Sequence, residues 1–170
     1  MTDKNEVLAN LKLLSDELKN KRGPANRGAP QIILIGHDDY HATEIGRTKD
    51  NLQFFITSMF VPAIGGKPGC EFMATYLFNT SGDLVNSKVD NLGPRANLAF
   101  NTVSNAKQQH IKALGPIKYL DIQVKPFAVE HYGLMMGLIP SKFEGRWWVE
   151  LLPGNCMAFH EPWDSGIYDT

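Results

Sequence analysis

The sequence has few of the features that mark secreted, membrane-spanning or nucleic-acid-binding proteins. Two cysteines in 170 residues allow one disulfide at most, and the expected state is two reduced thiols. The 17 basic and 18 acidic side chains nearly cancel, which argues against the basic surface of a nucleic-acid-binding domain. The first residues are charged and no apolar run follows them, unlike a signal peptide. We therefore expect a cytoplasmic protein that does not bind nucleic acid.

Long hydrophobic runs are also lacking. The most apolar stretch, 54–66, contains Thr57, Ser58 and Pro62, and it falls short of the roughly 20 apolar residues that span a bilayer. We expect no contact with the membrane. The hydrophobic fraction of 43% is high enough for one buried core without a structural metal, so residues 1–170 are predicted to form a single domain. The sequence leaves the oligomeric state open.

Apolar residues at helical spacing predict an N-terminal helix over 2–21. Its buried face would carry Val7, Leu8, Leu11, Leu14 and Leu18. A polar connector with glycine and proline comes next over 22–30, and basic side chains are enriched at this end of the chain. A lone helix of this length does not bury its own apolar face, so we expect it to pack on the body of the protein.

The sheet-rich body over 31–170 is predicted to contain short strands and one central helix near 95–114. The predicted strands cover 31–36, 52–61, 71–79, 84–90, 117–124, 128–132, 134–139, 146–152 and 156–159. Residues 80–83 are predicted to form a hairpin loop. These elements predict an α+β fold with a largely antiparallel sheet of about six to eight short strands, an N-terminal helix and one central helix. The alternative is a β-barrel or sandwich with one or two helices.

A polar cluster comes directly after the first predicted strand of the body. His37 and His41 flank Asp38 and Asp39, and imidazole and carboxylate groups are both zinc ligands. Cys156 and His160 would complete a metal site with the two histidines if the last strand lay beside the first. The alternative is a solvated turn capped by one aspartate, with no cofactor.

Other chemical motifs are incomplete. The P-loop, dinucleotide-binding and nucleophilic-serine patterns are missing, so the catalytic residues, if any, are unknown. Cys70 and Cys156 are interpreted as small core residues, and His110 and His131 as ordinary surface or half-buried histidines.

The C-terminal end is acidic and aromatic. No lysine or arginine occurs after Arg146. The candidate partner-binding residues are Glu161, Trp163, Asp164, Tyr168 and Asp169. Carboxylates steer a basic partner and aromatic side chains supply anchor area. The alternative is that this end folds back and buries Trp163 and Tyr168 in the core.

The favoured function is a non-enzymatic binding protein, of the bacterial immunity or inhibitor type, that binds another protein through this acidic, aromatic C-terminal surface. One alternative is a metal-dependent hydrolase built on the cluster of residues 37–41, with zinc as cofactor. Another alternative is a domain that binds a small ligand inside the sheet.

Overall fold

The computed structural model describes residues 28–154 and 156–170, and this part of the chain consists mainly of antiparallel strands. The predicted helix over 2–21 and most of the connector over 22–30 lie outside the described residues. Within the described part, α1 (Thr102–Ala113) is the one α-helix, and no helix there is long and apolar enough to cross a bilayer. The strands are β1 (Ile33–Ile35), β2 (Ile45–Thr48), β3 (Gln53–Val61), β4 (Cys70–Phe78), β5 (Leu84–Pro94), β6 (Ile117–Tyr119), β7 (Ile122–Val124), β8 (Phe127–His131), β9 (Leu134–Phe143), β10 (Arg146–Leu152) and β11 (Ala158–Phe159).

The strands form three antiparallel sheets. The largest has the order β5-β4-β3-β2-β6, the second has the order β11-β10-β9-β8, and β1 pairs with β7. The prediction of largely antiparallel strand pairing together with one central helix is confirmed. Over residues 28–154 and 156–170 the sheets do not close into a barrel, so the barrel alternative is wrong for this part of the chain.

The five-stranded sheet is covered on both faces because its side chains alternate between two cores. Phe55 of β3 and Tyr76 of β4 face the main core, which also contains buried residues of β1, β7, β9, β10 and β11. Phe54 of β3 and Met73 of β4 face the opposite side and pack with Ala106 of α1. Consecutive phenylalanines of β3 are therefore both fully buried.

A buried polar network fastens α1 to the five-stranded sheet. His110 of α1 is 1% exposed, and its Nδ1 lies 2.6 Å from Oγ1 of Thr75. Nε2 of His110 lies 2.8 Å from Oδ2 of Asp90 on β5. Burial alone would raise the pKa of Asp90, but the bond from His110 and the charge of Lys88 give a net lowering. The interpretation of His110 as a surface or half-buried residue is therefore wrong, because both ring nitrogens are satisfied inside the protein.

Several predicted boundaries are also corrected. Residues 95–97 form a separate 3-10 turn and α1 begins at Thr102, so the central helix is shorter than the predicted 95–114. The single strand predicted over 117–124 is divided into β6, which joins the large sheet, and β7, which pairs with β1. The hairpin loop is confirmed: Asn79 Oδ1 accepts from the amides of Ser81 and Asp83, and Gly82 has φ +86°.

Candidate functional site

Residues 160–170, called here the C-terminal segment, run beside β1. The amide of Leu34 donates to the carbonyl oxygen of Trp163 at 2.9 Å, and the amide of Gly36 donates to that of Gly166 at 3.2 Å. A β-carbon on Gly36 would lie 3.0 Å from the Gly166 oxygen, and Gly166 itself has φ +75°. The two glycines thus allow the segment to approach the end of β1 closely.

Asp38 anchors the C-terminal segment to the loop after β1. Its Oδ1 accepts from the amides of Tyr40 and Ala42, each at 2.9 Å. Its Oδ2 accepts a short hydrogen bond from the hydroxyl of Tyr168. The same hydroxyl accepts from the amide of His41 at 3.0 Å. The carboxylate of Asp38 therefore holds the loop turn and the segment together.

This anchor shifts the pKa of both partners. Burial alone would raise the pKa of Asp38, but the donors from Tyr168, Tyr40 and Ala42 outweigh it and the net pKa is lowered. Burial, together with the bond to Asp38, raises the pKa of Tyr168 to about 12. The ionised carboxylate and the neutral phenol are thus the favoured pair near neutral pH.

We expect Tyr168→Phe to reduce the loss of stability at alkaline pH. The pKa of Tyr168 rises from 10.0 to about 12 on folding, so its contribution is complete below pH 10 and is lost between about pH 10 and 12. Urea unfolding at a series of pH values should show a steeper alkaline decline for the wild type than for the variant. Burial also raises the pKa of Tyr76, but Tyr76 is present in both proteins. Parallel declines would contradict the anchor.

The far end of the segment pairs with β11. The backbones of Ala158 and Asp169 exchange two hydrogen bonds of 2.9 and 2.8 Å. His160 Nδ1 donates to the carbonyl oxygen of Glu161 at 2.8 Å, while its Nε2 lies 3.5 Å from Oδ2 of Asp169. The ring of His160 also packs edge-on against Trp148. These contacts hold His160 and Asp169 against β10 and β11.

Two grooves flank the C-terminal segment. The first, the Trp163 groove, has a volume of about 710 Å³. Its apolar wall is formed by Pro30, Ile32, Leu34, Pro162 and Trp163. Glu161 and Asp164 supply its acidic groups, and neither lysine nor arginine is among its described lining residues.

The second, the Ile167 groove, has a volume of about 420 Å³. It is lined by the loop after β1, including His37, Asp38 and Tyr40, and by residues of the C-terminal segment around Ile167. Tyr40 is 66% exposed and Ile167 is 67% exposed, so this groove presents apolar area to solvent. Its described lining residues also include no lysine or arginine.

The predicted partner-binding residues are distributed between the two grooves. Trp163 and Tyr168 are half-buried and pack against the main core. Glu161, Asp164 and Asp169 are exposed. Ile167 and Tyr40 were not predicted from the sequence, because a single apolar residue in a polar loop carries no periodic signal and only the packing shows that it is exposed.

The predicted metal ligands do not come together as a cluster. Nε2 of His37 donates to the carbonyl oxygen of Thr43 at 3.0 Å, and its ring stacks on Tyr119. The ring of His41 packs against Tyr40 and Tyr168. β11 pairs with β10 and not with β1, and the ring of His160, which follows β11, contacts Trp148 and Asp169. Throughout residues 28–154 and 156–170, no three His, Cys, Asp or Glu side chains form a group that could hold a metal. The zinc site with Asp38 and Asp39 stays a prediction.

Both cysteines are half-buried and free. Burial raises the pKa of the Cys156 thiol, and Sγ of Cys70 lies 3.7 Å from the carbonyl oxygen of Pro68. A raised pKa disfavours the thiolate that a nucleophile needs.

Comparison with known proteins gives no relative. No family model matches the sequence, and no curated protein or solved structure matches at the similarity required.

Proposed function

We propose that this is a binding protein that covers a basic surface of another protein, as inhibitor-type and immunity proteins do, and that the partner docks at the Ile167 groove. The observation that supports this is the combination of exposed apolar area at Tyr40 and Ile167 with an acidic surround. Asp38 lines the groove, and the exposed Asp39 and Asp169 flank it in sequence. Such a surface steers a basic partner and anchors it with apolar side chains.

The Ile167 groove is a better candidate for this partner than Trp163 itself. Trp163 packs against the main core, so its loss would disturb the fold together with any interface. Ile167 and Tyr40 are more than half exposed, which means that a partner can bury them at no cost to the packed core. Exposed large apolar side chains within one groove are typical of interaction sites.

Affinity capture with a matched isoleucine variant tests this proposal. The full chain, tagged at its N-terminus, is used on a lysate of the source cells at about 50 and about 150 mM salt. Ile167→Asp is expected to reduce the captured partner about 30-fold or more, the loss typical of a central anchor residue. The control is Ile64→Asp, because Ile64 lies in the loop between β3 and β4 and is 58% exposed.

Retained capture by Ile64→Asp together with loss in Ile167→Asp would support the proposal. Equal capture of the same protein by both variants would place the partner elsewhere and contradict it. The absence of any stoichiometric partner of the wild type at either salt would contradict it as well.

A further inference from the structure

The Trp163 groove begins where the described chain begins. Gly28 is the first described residue, Pro30 is buried, and Pro30 and Ile32 form part of the groove wall. Pro162 and Trp163 of the C-terminal segment also line it. The described chain therefore begins two residues before Pro30, which lines this groove.

The 27 residues before Gly28 match the groove in apolar pattern. Positions 7, 8, 11, 14 and 18 are apolar at helical spacing, which predicts one apolar face about three turns long. A single helix of that kind is marginal in water unless its apolar face is covered. The groove offers proline, isoleucine, leucine and tryptophan side chains as a cover.

The residues before Gly28 and the Trp163 groove also match in charge. Lys19, Lys21, Arg22 and Arg27 come after the apolar positions and precede the body. Glu161 and Asp164 are the acidic residues of the groove, and the ion pairs of the described part of the chain do not involve them. Pro30 comes twelve positions after position 18, an extended reach of about 40 Å. This connection is long enough for the face to fold back onto the groove.

We propose that the Trp163 groove is the docking site of this chain's own residues 2–21. The apolar face of that segment packs on the apolar wall of the groove. The basic residues that follow position 18 lie beside Glu161 and Asp164. This contact is separate from the partner surface, because the Trp163 groove is lined by residues 161–164 of the C-terminal segment and the Ile167 groove by Gly166, Ile167, Tyr168 and Thr170. If residues 2–21 do not dock at the Trp163 groove, the proposed function is unaffected. If no partner binds at the Ile167 groove, this docking is unaffected.

Hydrogen exchange of the full chain, measured by mass spectrometry, tests the docking. Leu11→Asp places a carboxylate on the apolar face, and we expect exchange within residues 7–18 and 161–165 to become about tenfold faster or more. Leu13→Asp is the matched control, because position 13 lies on the opposite side of the same predicted helix and the change in residue and charge is identical. We expect it to leave residues 161–165 at the wild-type rate.

A second variant acts from the groove side. Glu161→Lys combined with Asp164→Lys reverses the exposed charges without touching the apolar wall, and we expect it to speed exchange within residues 7–18. Exchange in β3 and β4 reports in each case that the body remains folded. Wild-type rates in residues 161–165 for Leu11→Asp would overturn the proposal. Protection that rises with protein concentration together with a dimer mass would assign the groove to a second copy and would also overturn it.

Discussion

Replacing His110 with alanine should cost the protein about 3 kcal/mol or more of folding free energy. The side chain is 1% exposed and its two ring nitrogens contact Thr75 and Asp90. Its removal leaves a cavity between α1 and the sheet. It also leaves the buried Thr75 hydroxyl without its hydrogen-bond partner. At this chain length, that loss corresponds to a fall in Tm of roughly 6–12 °C.

His131→Ala is the control for the His110 substitution. His131 is half-buried and has one hydrogen bond, of 2.9 Å, to the Ser87 hydroxyl. We expect its loss to cost about 1 kcal/mol or less. Thermal unfolding of the two variants beside the wild type makes the comparison. Equal falls in Tm for both variants would show that the network under α1 does not stabilise the fold.

Reversing the charges of two residues that flank the lining of the Ile167 groove in sequence should weaken the partner complex about 100-fold, at roughly 1.4 kcal/mol for each carboxylate. The variant is Asp39→Lys combined with Asp169→Lys, since both residues are exposed; it also removes the 3.5 Å contact of the Asp169 carboxylate with His160. Asp38 is unsuitable because its carboxylate holds Tyr168 and the loop amides. The backbone hydrogen bonds of Asp169 to Ala158 do not depend on the side chain and should persist.

Titration of the purified partner at two salt concentrations measures this effect. The wild-type affinity should fall with salt, while the reversed variant should bind weakly at both concentrations. Asp50→Lys combined with Glu130→Lys has the same change in net charge on exposed residues that line neither groove. An equal loss in both double variants would mean that net charge, and not this surface, governs binding.

Local sequence patterns predicted the strands that have an apolar pattern and that end near turn-forming residues such as glycine and proline. β3, β4 and β10 match their apolar patterns closely, and the hairpin loop at 80–83 matches its glycine and asparagine chemistry. β2 was missed because Ile45–Thr48 is a short strand with a glycine and two polar residues. Its place is set by pairing with β3 and β6, where a β-carbon on Gly46 would lie 1.9 Å from the carbonyl oxygen of Lys118.

The predicted end of a strand before Pro140 was wrong for a tertiary reason. Proline lacks the amide that a central strand donates, so it usually ends or interrupts pairing. β9 nevertheless continues to Phe143, and Pro140 pairs in register with Val149 of β10. The pairing of β8 with β9 stops at Leu138, so β9 has a free side at Pro140 among the described residues. One sequence does not show where a neighbouring strand stops.

The candidate site was predicted in part. The acidic, aromatic character of the C-terminal end is a property of the sequence, and it identified Tyr168 and Asp169 beside the Ile167 groove. The loop after β1 was expected to be polar and was a candidate metal site. The sequence did not show that Asp38 would accept a hydrogen bond from Tyr168, 130 positions later. The site depends on this long-range contact, which needs the fold before it can be seen.

Hydrogen exchange of the full chain with and without its captured partner shows whether the partner docks at the Ile167 groove. We expect the partner to slow exchange in residues 37–41 and 165–170, which line or flank the Ile167 groove. Exchange in the loop at 62–69, which contains the control residue Ile64, should stay unchanged. Protection confined to that loop or to α1, with none at the Ile167 groove, would contradict the account.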